Sequence, residues 1–212
     1  MRSRPDESPA ERPARKRIVS QARRHFFAHG FRGVTMDDLA EELGMSKKTL
    51  YAHFPGKTAI LEAAIADKFG DVDTDLKAIS SDPSSDFTAK LRHLLECLER
   101  HLEEIRPPFV RDMRREAPEM FQRIEALRRE RIQRHFGELF DKGRKSGLIR
   151  KDISANVIIE ILLAAVEGIM NPRKVEELGL TPRTAFTAIV RVVLEGVGSD
   201  GHCAIAERST SR

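Results

Sequence analysis

GMSKKTLYAHFPGKTAIL, residues 44–61, gathers Lys47, Lys48, Tyr51, His53 and Lys57 around two apolar residues, Leu50 and Phe54. Those two lie four apart, so on a helix they share one side. At ~100° per residue, Lys48, Thr49 and Ala52 then point outward, with Tyr51 and His53 flanking them. Ser46 and Lys47 occupy the first turn. The outward face is basic and rich in hydrogen-bonding groups, and small Ala52 at its centre permits close approach. Such a face suits the major groove of DNA. Lysine donates to guanine O6 and N7, threonine bonds a base edge or touches a thymine methyl, and tyrosine and histidine reach phosphates.

The segment before it completes the pattern. Thr35-x-x-Asp38 fits a capping box, and Met36, Leu39, Ala40 and Leu43 form one apolar face. Gly44 breaks that helix and Ser46 caps the next. Helix, glycine-containing turn and short helix make a helix-turn-helix, here over about 35–54. Thr35 and Lys57 open the flanking helices, where unpaired N–H groups favour phosphate.

Charge is placed to match. Residues 1–57 carry 12 Lys/Arg against 7 Asp/Glu, whereas the remainder carries 25 against 26. Only the N-terminal quarter is basic, as expected of a nucleic-acid contact confined to one end.

Working outward, a first helix is expected from Pro13 to His29, ended by Gly30, on the stripe Ile18, Ala22, Phe26 and Phe27. A helix after Pro55-Gly56 carries Ile60, Leu61, Ala64, Ile65 and Phe69, and is expected to fray in the acidic stretch from Gly70 to Ser85. A further helix spans Asp86 to Ile105 and stops at Pro107-Pro108. A short piece with Phe109, Val110 and Met113 follows. Pro118 starts a long helix that runs to Gly147. The last two helices, about 154–170 and 181–198, are apolar on most faces and need burial on more than one side, which a partner chain supplies economically.

The expected fold is all-α, with nine to ten helices. A three-helix DNA-binding headpiece occupies 13–72 and a larger helical domain 73–198. Residues 1–12 and 199–212 read as disordered tails; Arg2, Arg4 and Arg12 in the first are partly cancelled by Asp6, Glu7 and Glu11. Two cysteines, Cys97 and Cys203, make no disulfide framework. The longest apolar run, Val157 to Val166, is too short to span a bilayer. The first thirteen residues lack the apolar core of a secretory signal. A reduced, cytoplasmic protein is the default, associated with the nucleoid if it binds DNA.

The stretch TMDDLAEELGMSKKTLYAHFPGKTAIL, residues 35–61, closely resembles the DNA-binding signature of the tetracycline-repressor (TetR, AcrR-like) family of bacterial transcription regulators. Thr35, Leu39-Ala40, Gly44, Ser46, Thr49-Leu50-Tyr51, His53-Phe54 and Lys57 carry the match. The resemblance implies a homodimer joined through the last two helices, each subunit with a headpiece and a ligand-binding domain. By it, Thr35, Ser46, Lys47, Thr49, Tyr51, His53 and Lys57 map to positions that touch DNA. Position 48 is commonly glycine in that family. Lys48 adds either a base contact or a phosphate contact. The function implied is a repressor, released from a palindromic operator by a small effector. A non-specific DNA-binding protein is the alternative, and a helical scaffold or unrecognised enzyme a more distant one.

Other groupings carry less. Phe109, Met113, Met120, Phe121, Phe136 and Phe140 suit an apolar effector pocket, and each is equally explained as core. Glu160 and Glu167, seven apart in an apolar helix, suit a cationic ligand or an ion pair at a dimer edge. His93, Cys97 and His101 are spaced by four, but the wheel sets His93 and Cys97 away from the apolar centre of their helix. They read as structurally ordinary, so no metal or cofactor is expected. No Gly-rich phosphate loop, GxSxG or HExxH motif appears, so no enzymatic activity is expected.

Overall fold

Capping residues and glycines divide the chain into helices. The computed structural model describes residues 11–197, which form ten helices. These are α1 (Glu11–His29), α2 (Met36–Glu42), α3 (Lys47–His53), α4 (Lys57–Ser81), α5 (Phe87–Glu103), α6 (Pro107–Glu116), α7 (Pro118–Lys145), α8 (Ala155–Ile169), α9 (Pro172–Glu177) and α10 (Pro182–Val197). The fold is all-α. None of the described helices is long and apolar enough to cross a membrane. The two expected tails lie largely outside the described residues, although Glu11 and Arg12 already belong to α1.

The chain divides into two compact units, one reaching to Asp71 and including Glu104–Pro118, the other made of Val72–Glu103 and the residues from Glu119 onward. In the first, Ile18, Ala22, Phe26 and Phe27 of α1 are buried, as are Leu39, Leu50, Phe54, Ile60, Leu61 and Ala64. α6 joins this unit against α1, its Phe109 ring lying edge-on to Phe27 at 4.9 Å. No local pattern announces that long-range pairing. Gly30 ends α1 at φ +87°, and a Cβ there would lie 2.5 Å from Asp112 Oδ2 of α6. Glycine is therefore required twice over, by backbone conformation and by close approach.

In the second unit α5, α7, α8 and α10 enclose Leu91, Leu94, Phe136, Phe140, Ile158, Ile159, Leu163 and Leu194, with Val72 and Leu76 from the C-terminal part of α4. A smaller cluster joins Leu162 and Val166 of α8 to Phe186 and Ile189 of α10.

Four expectations need correction. α4 does not fray at Gly70 but continues to Ser81. Its Val72 and Leu76 keep an i, i+4 buried stripe, and its acids are neutralised by residues distant in sequence. Asp67 and Asp71 pair with Arg23, Asp73 with Arg131, and Asp75 with Arg100 and His101. Second, Pro107-Pro108 does more than follow the end of α5 at Glu103: it opens α6, supplying the N-terminal positions where a missing N–H costs nothing. Third, α9 intervenes before the last helix, capped by Asn171 and begun by Pro172. Fourth, Cys97 is buried within the second core rather than on a flank of α5. α5 packs against α10 and also shares a core with Leu76 of α4, so its buried arc is wider than Leu91, Leu94 and Leu98 define.

Gly30→Ala should destabilise the chain by at least ~1 kcal/mol and by more than Gly44→Ala. Gly44 also has positive φ (+62°), but a Cβ there meets nothing within 4 Å. Urea melts followed by circular dichroism would compare them, and equal losses would exclude the Asp112 contact as a cause. His135 of α7 offers a second check. Burial lowers its pKa below the ordinary histidine value, against the opposing pull of Asp73 at 3.6 Å. A histidine held neutral stabilises the fold above the unfolded pKa. That contribution is lost as pH falls below about 6.5 towards the folded value. His135→Leu should flatten this acid limb of the stability profile.

Candidate nucleic-acid interface

α2 and α3 are short and depend on their caps. The Thr35 hydroxyl accepts from the Asp38 N–H at 3.1 Å and the Asp38 carboxylate accepts from the Thr35 N–H at 2.7 Å, so the capping box is complete. Those bonds from Thr35 hold the Asp38 carboxyl below its ordinary range. Ser46 caps α3 by accepting from the Thr49 N–H at 3.0 Å, and its hydroxyl lies 2.8 Å from that of Thr49. Leu50 and Phe54 are fully buried beneath α3.

Cations of the first unit fix the ends of these helices. Arg15 of α1 donates to the His53 carbonyl at 3.1 Å and stacks its guanidinium 4.1 Å from the centre of the Phe54 ring. Arg17 donates to the Leu43 carbonyl at the end of α2. Lys57 donates to the carbonyls of Phe31 and Val34 at 2.8 and 2.9 Å and lies 4.3 Å from the Phe31 ring centre. Burial lowers the Lys57 pKa, opposed by Asp112 and Asp38. Asp112 of α6 accepts from the Arg32 N–H at 2.9 Å, securing the same turn between α1 and α2. The sequence reading named neither Arg15 nor Arg17 nor Asp112. Arg15 lies one turn before Ile18 on the buried Ile18–Ala22–Phe26 stripe and Arg17 next to it, a usable signal; Asp112 had none.

Ser46, Lys47, Lys48, Thr49, Tyr51 and Ala52 are all exposed along α3, His53 is half-buried, and Thr35 is exposed at the start of α2. Lys47 forms an ion pair with Asp37 of α2. Among the described residues no ion pair engages Lys48. Tyr51 is 49% exposed on the same face. Seven of the eight expected DNA-facing residues thus lie on one surface of the α2–α3 pair. Lys57 is adjacent, but its ammonium group is turned to backbone carbonyls.

The expected effector residues are not gathered. Phe109 and Met113 are buried in the first unit. In the second, Phe136 and Phe140 lie fully buried against each other, ring centres 6.0 Å apart, while Met120 and Phe121 are half-buried at the start of α7. Glu160 accepts from Arg129 and from Gln133, and the Arg129 contact lowers its pKa. Glu167 lies 4.0 Å from the same guanidinium. Of all these, Glu167 alone lines the cleft of about 250 Å³ formed with Glu125, Ala126, Arg128, Arg129 and Leu163.

Residues 18–64, which contain this whole surface, match the family described as bacterial regulatory proteins, tetR family. Over those residues the chain is similar to the DNA-binding region of that family. YvaF of Bacillus subtilis strain 168, a helix-turn-helix-type transcriptional regulator, is 22% identical over 87% of this chain and 96% of its own length. DhaR of Mycobacterium sp. strain GP1, a helix-turn-helix-type transcriptional repressor, is 22% identical over 85% of this chain and 92% of its own. A solved transcriptional regulator from Cytophaga hutchinsonii superposes with a TM-score of 0.70, covering 87% of this chain and 98% of that one; at 16% identity the likeness is one of fold.

Because the Lys57 ammonium bonds two carbonyls, Lys57→Ala should cost stability, roughly 1–3 kcal/mol. Lys48→Ala should stay within about 0.5 kcal/mol, as at an ordinary surface position. Equal stability for both variants would return Lys57 to the set of plain phosphate contacts.

Proposed function

We propose that the chain is a dimeric transcriptional repressor that reads a palindromic operator with α3 of each subunit and leaves it when an effector binds the second unit. The exposed face of α3 carries the reading. It presents Lys48, Thr49 and Tyr51 around small Ala52, on a helix locked from below by Leu50. In this scheme Lys48 and Thr49 read base edges, while Thr35, Ser46, Tyr51 and His53 hold phosphates. Lys47 joins them on release from Asp37, and Lys57 acts by placing the turn before α2. Two such helices address successive major grooves ~34–36 Å apart.

Dimerisation through α8 and α10 fits their exposed apolar residues. Val157 and Ile161 lie one turn apart on α8, and Val192 on α10 is 72% exposed. Glu160 and Glu167 border that stripe and are held by Arg129, which favours the ion-pair role over recognition of a cation. The effector site falls to the second unit. Its cleft of about 250 Å³ is smaller than the ~300–1,000 Å³ usual for a formed pocket, so a drug-sized effector requires α7 and α8 to part. The name repressor, carried by the relative DhaR, supports release rather than activation.

Fluorescence anisotropy on DNA from the gene's own upstream region, beside scrambled competitor and at several salt concentrations, tests the core of this. A preferred site should bind roughly a thousandfold or more tighter than scrambled DNA. Equal binding to both would favour the non-specific alternative. Tyr51→Ala should weaken all sequences alike, whereas Lys48→Ala should relax the preference at one base pair per half-site. A uniform loss with a shallower salt slope for Lys48→Ala would make that lysine a phosphate contact. Ile161→Glu with Val192→Glu should yield monomers by sedimentation and abolish operator binding without unfolding the headpiece.

A further inference from the structure

We propose that Asp75, Cys97 and His101 form a binding site for a thiophilic divalent cation of the zinc class. Cys97 and His101 lie one turn apart on α5, and Asp75 reaches them from α4. One ligand atom from each residue falls within 4.8 Å of the other two. His101 Nε2 and Asp75 Oδ2 are already 3.0 Å apart. A tetrahedral zinc site with spokes of ~2.0–2.3 Å has edges of roughly 3.3–3.8 Å, so closing the set needs about an ångström of side-chain adjustment. Thiolate, imidazole and carboxylate together select zinc and its neighbours over magnesium or calcium, which take oxygen ligands.

Burial and charge point the same way. Cys97 is 2% exposed, in the core with Leu76, Leu91 and Leu94, and His101 is 8% exposed, whereas the Asp75 side chain is 41% exposed. The site is walled by apolar groups and opens to water at the carboxylate. A thiolate and a carboxylate carry two negative charges, which a divalent cation neutralises. On binding, the Cys97 thiol proton leaves to solvent as the sulfur–metal bond forms, and imidazole binds through a neutral nitrogen. Three protein ligands leave one position for water or an exogenous donor. Arg100 also reaches Asp75, at 3.2 Å; its side chain is 65% exposed and swings into solvent when the cation displaces it. Nothing in this site depends on the DNA reading.

The test uses the full-length, untagged chain carrying Cys203→Ser, reduced, treated with chelator and titrated with Co²⁺. One equivalent should bind with a thiolate-to-cobalt charge-transfer band and the ligand-field bands of tetrahedral cobalt, and Zn²⁺ should displace it. Cys97→Ala should remove the sulfur band. Asp75→Asn, at a half-exposed position that the fold tolerates, should keep that band but weaken binding by at least the ~10–100-fold that losing an outer-sphere partner costs. Zn²⁺ should raise the Tm of the parent chain more than that of Asp75→Asn. No sulfur band, a band that survives Cys97→Ala, or unchanged affinity in Asp75→Asn would each overturn the site.

Discussion

A seven-residue helix cannot hold itself. α3 has two turns, far below the ~12–15 residues at which even good helix formers become marginally stable in water. Its existence rests on the burial of Leu50 and Phe54, each contributing ~1.5–3 kcal/mol when removed from water. Every other feature of the headpiece serves that burial. Ser46 starts the helix, Arg15 of α1 covers its far end through the His53 carbonyl and the Phe54 ring, and α2 packs beside it. Because the anchors occupy one side, the opposite side is released from any packing duty. That freedom lets it carry Lys48, Thr49, Ala52 and Tyr51, a combination with no value to the core.

The same economy governs charge. The N-terminal quarter looks basic by count, yet much of its positive charge is committed inside the unit. Arg15 and Arg17 bond carbonyls at helix ends, Lys57 bonds two more, and Arg23 is surrounded by Asp67, Asp71 and Glu104. Helix C-termini expose unsatisfied carbonyls with partial negative charge, so cations there stabilise the scaffold. A charge count thus overstates the field available to a polyanion. The proposed operator contact draws on a narrower set, chiefly the exposed groups from Ser46 to Tyr51.

Legibility followed the range of the interactions. The caps at Thr35 and Ser46, the left-handed Gly30 and Gly44, and the Leu50–Phe54 anchor involve residues within a few positions of one another, and all were readable from the sequence. The continuation of α4 was not, because Asp67, Asp71, Asp73 and Asp75 look like a solvated break until Arg23, Arg131 and His101 are placed beside them. Nor was the grouping of α6 with α1, which turns on the contact of Phe109 with Phe27 across some eighty positions. Cys97 was misplaced for a related reason. A helical wheel assumes one buried arc, and α5 is buried on two sides. The aromatic residues expected to frame a pocket were legible as apolar, but apolarity does not distinguish a wall from a core, and Phe136 and Phe140 are core.

A regulator of this kind is bound by reciprocity as much as by geometry. An effector weakens operator binding only by the ratio of its affinities for the operator-bound and free conformations, and the operator must weaken effector binding by the same factor. A coupling of 1–3 kcal/mol, the usual range, corresponds to roughly 5–150-fold. The described cleft, bounded by the arginines of α7 and by Glu167 of α8, is smaller than a drug-sized molecule needs, so on the proposed reading the effector site opens from it. The free energy of opening is then subtracted from the effector's intrinsic affinity. It is also the reservoir from which the loss of operator affinity is drawn, since a pocket equally open in both states could transmit nothing.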